Sequence, residues 1–223
     1  MELSMRNVDA LTSSAFLHRE MHCTCGKTHF MDVDKVLIEE QALNKLVPLL
    51  QEYGTKKPLV IMDKNTKAAA GKKVFALLEA AAFPYSVFCF NTPKSLVPDE
   101  YALGAVLSKI DDGTDLLLAV GSGVLNDITK FVGRRTGLPE ILVATAPSMD
   151  GFVSNTSALT LGNMKSSVPC DLPRVILGDI EILKLAPKPM ILAGLGDMIG
   201  KYSALTDWQL SRLINGEYWR ILL

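Results

Sequence analysis

DLLLAVGSGVLNDITKFVGRR, residues 115–135, decides the fold. After Asp115 come five apolar residues in a row, the pattern of a strand buried on both faces, as in a parallel sheet. Two glycines around a serine follow, and Val124 to Arg135 then reads as a helix. The same alternation extends in both directions. Upstream, PLVIMD (58–63) reads as a strand, TKAAAGKKVFALLEAAAF (66–83) as a helix, YSVFCF (85–90) as a strand and PDEYALGAVLSKI (98–110) as a helix. Downstream, EILVAT (140–145) and RVILGD (174–179) supply two more apolar strands. The expected class is α/β, with a parallel sheet covered on both faces.

The flanks read differently. Residues 1–33 show no clear periodicity and hold all three histidines, so an irregular lead-in is expected there. A helical pattern begins near Asp34, where Leu43, Leu46, Val47 and Leu50 recur at helical spacing; Gly54 stops it and Pro48 kinks or divides it. After Thr145 comes a polar stretch, then SALTL (157–161), Gly162-Asn163 and MKSSV (164–168), which reads as a hairpin. From Lys188 to about Ile214 the pattern is helical. The expected division is a lead-in (1–33), a dinucleotide-binding α/β domain (34–180) and the beginning of a helical domain (181–223).

Composition narrows the function. With 23 basic and 24 acidic residues among 223, the chain offers no electrostatic reason for a nucleic-acid or anionic-membrane partner. No apolar run approaches a membrane span, and the first residues lack the apolar core of a signal peptide. Cys23, Cys25, Cys89 and Cys170 do not resemble a disulfide framework in a chain of this size, so a reducing cytoplasm is expected.

GSGVLND (121–127) leaves a strand and opens a helix, the place where free amides and the positive helix end can hold a pyrophosphate. The standard dinucleotide fingerprint fails, because Asn126 stands where a third glycine belongs and the later acidic residue is missing. An ordinary strand-to-helix turn is the competing reading. Asp63, ending the first long strand, could accept hydrogen bonds from a ribose. Asp127 is favoured in the first helical turn by the dipole whatever its function. Asp150-Gly151 could simply turn the chain. Asp197 precedes Lys201 by four residues, the spacing of a solvated ion pair, yet Ala193, Leu195, Met198 and Ile199 around it are apolar and a metal is another candidate partner. GLGDMIGKY (194–202) lacks the spacing of a phosphate-binding P-loop. HCTCGKTH (22–29) gathers His22, Cys23, Cys25 and His29, but a packed, reduced segment is favoured over a zinc knuckle, which uses two separated ligand pairs.

Taken in order, VIMDKNT (60–66), GSGVLND (121–127), TAPSMDGFVS (145–154) and GLGDMIGKYSALTDW (194–208) resemble the sn-glycerol-1-phosphate dehydrogenases, members of the iron-type polyol dehydrogenases. CTCGKTH is similar to part of their amino-terminal segment, and the resemblance runs from about residue 20 to 219. It implies a dehydroquinate synthase-like architecture, a Rossmann-like domain followed by an all-helical one, with the active site between them. It implies that Asp63 contacts ribose and that Gly121, Ser122, Gly123, Val124, Leu125, Asn126 and Asp127 form the pyrophosphate and nicotinamide loop. Thr145, Ala146, Pro147, Ser148 and Ser154 would line the cofactor, Asp150 would contact substrate, and Asp197 would serve as metal ligand and substrate contact. The implied reaction is NAD- or NADP-dependent reduction of dihydroxyacetone phosphate with a zinc or nickel ion, carried out by a homodimer. Lys165 and Lys201 are candidates for the substrate phosphate.

The chain departs from that pattern. No histidine follows His29, whereas the family supplies two from later helices, and a catalytic zinc uses about three protein ligands. RILL after GEYW also differs from the family's continuation. A shortened chain, turnover in question and exposed apolar surface are therefore expected. A non-catalytic nucleotide-binding or assembly module, and a dehydrogenase of glycerol or another polyol, stand beside the phosphorylated-triose enzyme.

Overall fold

The structure, a computed structural model, describes residues 2–3, 17–23, 28–92 and 95–217. In chain order the strands are β1 Glu2–Leu3, β2 Met21–Cys23, β3 Thr28–His29, β4 Lys35–Glu39, β5 Pro58–Asp63, β6 Ser86–Phe90, β7 Leu116–Gly121, β8 Glu140–Ala144, β9 Thr156–Leu161, β10 Met164–Pro169 and β11 Val175–Asp179. The helices are α1 Leu46–Glu52, α2 Lys64–Thr66, α3 Lys72–Ala80, α4 Glu100–Leu107, α5 Gly123–Thr136, α6 Ile180–Leu183 and α7 Lys188–Asn215. A π turn, Lys67–Gly71, joins α2 to α3.

Six strands form one parallel sheet in the order β4-β11-β8-β7-β5-β6. The apolar runs are what make it possible. Every residue of β7 is buried, and its alternate side chains serve opposite faces. Leu116, Leu118 and Val120 pack with Val74 and Leu78 of α3 and with Leu46 and Leu50 of α1. Leu117 packs with Val106 of α4 and with Ile128 and Val132 of α5. The chain runs from β5 to β6 on one side, then crosses back to β7 on the other. That reversal falls between β5 and β7, and open α/β sheets bind ligands at the carboxyl ends of the strands at such a point.

Two expectations are corrected. The pattern beginning near Asp34 is not helical from its start: Lys35–Glu39 is β4, pairing with β11 in register Lys35↔Val175 to Glu39↔Asp179. As an edge strand with charged ends and with Ile38 63% exposed, it lacks the continuous apolar run of its neighbours. Only then does a 3-10 turn, Ala42–Lys45, lead into α1, and Pro48 sits in the first turn of that helix, where its missing N–H is harmless. The lead-in, in turn, is not wholly irregular. β1, β2 and β3 form a small sheet whose strands of two and three residues are too short to show a period. Cys25 lies outside the described residues.

The Gly162-Asn163 hairpin is present, both residues having positive φ (56° and 64°) between antiparallel β9 and β10. Among the described residues no helix is long and apolar enough to cross a membrane.

Candidate functional site

The site is built where β7 and β8 end. Gly121 lies opposite Ala144 in the ladder, and the Thr145 amide donates to the Gly121 carbonyl at 3.0 Å. The two following segments therefore leave the sheet side by side. The first enters α5 through Ser122, whose side chain does not cap the helix. The amides of Gly123, Val124 and Leu125 precede the first intrahelical bond, from Asn126 N to Ser122 O at 3.0 Å, and stand at the positive end of the helix. The Ser122 hydroxyl is hydrogen-bonded to that of Ser148 instead, which ties the glycine turn to the segment after β8.

A Cβ at Gly121 would collide with the side chain of Leu125, so this glycine is demanded by packing; one at Gly123 would meet only the flexible end of Met149, with Sδ at 3.1 Å. Asn126 is fully buried, and neither polar atom of its amide has a hydrogen-bond partner. Uncapped amides and an orphaned buried amide beside them fit a bound phosphate-containing group.

Asp63 caps α2. Its Oδ1 accepts from the amides of Asn65 and Thr66, each at 2.8 Å, while Thr66 Oγ1 accepts from Asp63 N at 3.0 Å. The reciprocal pair is a capping box, legible in Asp63 and Thr66 three positions apart. The carboxylate is thus fixed at the carboxyl end of β5.

The segment from Thr145 to Ser154 is held from its other side by α7. Gly194 lies against the carbonyl of Pro147 so closely that a Cβ would overlap the oxygen. One helical turn further on, Asp197 Oδ2 accepts the amide of Asp150 at 2.9 Å. Lys201, expected as the ion-pair partner of Asp197, is bonded to Asp150. The Lys201 ammonium holds the Asp150 carboxyl below its usual range, and Asp150 raises the lysine in return. Asp150 and Asp197, which look like independent motifs in the sequence, therefore meet. Lys165 is exposed on β10.

Asp127 points inward. Burial pushes its carboxyl up, partly offset by Lys130, whose ammonium lies 3.3 Å away. Lys130 itself was not singled out by sequence reasoning. The Asp127/Lys130 spacing was the available signal, but such pairs usually lie in solvent.

Among the described residues no three of the His, Cys, Asp and Glu side chains gather as a metal would need. His18 is engaged by Asp34 in the amino-terminal segment. Asp197, with Asp150 already neutralised by Lys201, is a single donor, and the residues present do not fit a zinc or nickel ion with about three protein ligands.

The chain has relatives among known proteins. The chain is 37% identical over 198 residues to glycerol-1-phosphate dehydrogenase [NAD(P)+] of Bacillus licheniformis, covering 87% of this chain and 49% of the relative. The corresponding protein of Thermococcus kodakarensis is 34% identical over 197 residues, covering 86% of this chain and 54% of the relative. The chain thus spans about half the length of the curated relatives it matches. In fold it is similar to the NADH-dependent butanol dehydrogenase A of Thermotoga maritima (TM-score 0.68, 17% identity, 82% of this chain and 50% of the other). It is also similar to the glycerol dehydrogenase of Schizosaccharomyces pombe (TM-score 0.67, 20% identity, 78% and 44%). The family model described as iron-containing alcohol dehydrogenase matches residues 37–187, from β4 to just before α7, and the chain belongs to that family.

Proposed function

We propose that this chain is the coenzyme-binding half of an NAD(P)-dependent sn-glycerol-1-phosphate dehydrogenase. The observation that carries the reading is the junction of the Gly121–Asp127 turn, with its uncapped helix-start amides, with the Thr145–Ser154 segment, in which Asp150 is bonded to Asp197. The similarity to relatives bearing that name supports the choice of substrate.

Bound nicotinamide supplies or accepts the hydride at the central carbon of the three-carbon substrate. The chain's own residues do the holding. The amides of Gly123, Val124 and Leu125 would take the pyrophosphate; Asp63 would take a ribose hydroxyl through the oxygen that does not cap α2; Thr145, Ala146, Pro147, Ser148 and Ser154 would line the ring. Asp150, kept ionised by Lys201, would accept a hydroxyl hydrogen bond from the substrate, with Asp197 behind it, and Lys201 would attract the substrate phosphate. Asp197 alone is an insufficient donor for a metal ion. A cytoplasmic setting and a homo-oligomer belong to the same proposal, and the exposed apolar residues of α7 leave a face for further protein to cover.

A specific observation favours a second reading. Among the described residues the incomplete donor set also suits a nucleotide-binding module. Fluorescence titration of the chain with NADH and NADPH, followed by an assay of coenzyme oxidation with dihydroxyacetone phosphate and with dihydroxyacetone, tests both. Binding with oxidation by the phosphorylated substrate supports the dehydrogenase. Binding without oxidation fits a coenzyme-binding half and a module alike, preference for the unphosphorylated substrate moves the reading to a polyol enzyme, and no binding overturns it altogether.

A further inference from the structure

We propose that Lys130 is a positioning residue that holds the two walls of the coenzyme site at a fixed separation, an inference that rests on the coenzyme reading above. Lys130 lies in the middle of α5 with a side chain 0% exposed. An ammonium withdrawn from water is tolerated only where each of its N–H groups finds an acceptor. This one finds three: Ser154 O at 3.1 Å, Thr156 O at 2.8 Å and Asp127 Oδ1 at 3.3 Å. Glu140 is another buried carboxyl in its electrostatic reach, but neither Glu140 oxygen has a hydrogen-bond partner, so the ammonium is committed to the other three.

The identity of those acceptors carries the inference. Asp127 closes the Gly121–Asp127 turn. Ser154 and Thr156 lie where the segment carrying Asp150 passes into β9, and they are tied to each other through their hydroxyls at 3.0 Å. One charged atom, withdrawn from solvent, thus bonds both walls. The Ser122–Ser148 hydroxyl contact joins the same walls at a second point. A lysine serving only to fill the core would need no such division of its contacts.

The test compares the chain with Lys130→Met, which keeps the length and removes the charge, and with Val132→Ala, which thins the same helix at a core position outside the site. The measurement is the NADH dissociation constant from fluorescence titration, taken at a temperature where circular dichroism shows each variant folded. Loss of hydrogen bonds made by a charged donor should weaken NADH binding by about tenfold or more in Lys130→Met. Val132→Ala should lower the melting temperature and leave the dissociation constant within about twofold. Equal dissociation constants for the two variants overturn the proposal. Should Lys130→Met fail to fold, Lys130→Arg is measured instead. Its planar guanidinium cannot reproduce the three-way contact, so binding should weaken severalfold, and an unchanged constant overturns the proposal. If the unaltered chain binds no coenzyme, it is the coenzyme reading that has failed.

Discussion

The main-chain amide of Asp150 donates to Oδ2 of Asp197 at 2.9 Å, joining residues 47 positions apart. Asp197 thereby fixes the backbone of the loop that carries Asp150. Asp197→Ala should free that amide, and its hydrogen-exchange protection should fall by about tenfold, the equivalent of about 1.4 kcal/mol for a hydrogen bond to a charged acceptor. Asp197→Asn, which keeps an acceptor oxygen, should lose less. Exchange followed by NMR at that single amide distinguishes the two.

Lys201 neutralises Asp150, and the pair is open to solvent. The folded carboxyl titrates below its unfolded value, so the stabilisation is present above the ordinary carboxylate range and disappears as pH falls through the depressed value. In Lys201→Met the Asp150 carboxyl should titrate higher, moving toward the ordinary carboxylate range, as read from its carbon chemical shift across an acid titration.

Glu140 gives the opposite sign. It begins β8 and is fully buried, and burial pushes its carboxyl well above the usual range. A raised folded value means that the group's contribution is intact below the unfolded value near 4.3 and is lost as pH rises toward the folded one, at up to about 1.4 kcal/mol per pH unit. Glu140→Gln, which cannot ionise, should therefore raise the melting temperature at pH 8 by about 3 °C or more, and by less at pH 5. Thermal melts at the two pH values decide it.

Gly194 poses a contest of magnitudes. Alanine in the interior of a helix is favoured over glycine by about 1 kcal/mol. Here its methyl would overlap the Pro147 carbonyl, and forced backbone shifts cost about 1–3 kcal/mol. Gly194→Ala should therefore destabilise the chain, whereas Gly196→Ala, where nothing lies within 4 Å of the added carbon, should stabilise it slightly. A pair of denaturant titrations checks both signs.

The central strands were legible because burial on both faces writes itself as uninterrupted apolar residues, as in Leu116 to Val120. β4 was not, since its Lys35 and Glu39 ends and exposed Ile38 look like part of a surface helix. The motifs around Asp63, Gly121 and Asp150 could be placed at strand ends from their neighbours alone. That Asp150 and Asp197 touch could not, because it depends on how the first turns of α7 settle against Pro147. Lys130 was hidden for a simpler reason: a lysine three positions after an aspartate reads as a wet surface pair, and only the docking of β9 across α5 removes the water.

The register of β4 against β11 carries a kinetic consequence. Lys35 cannot find Val175 until nearly the whole intervening chain has been synthesised, and closing so long a loop is slow. During that interval β8 lacks the neighbour that β11 will provide, and β4 has nothing to pair with. On the ribosome, β5 to β8 can assemble as a nucleus while the amino-terminal edge waits, an interval in which its bare backbone is exposed to aggregation or to chaperones.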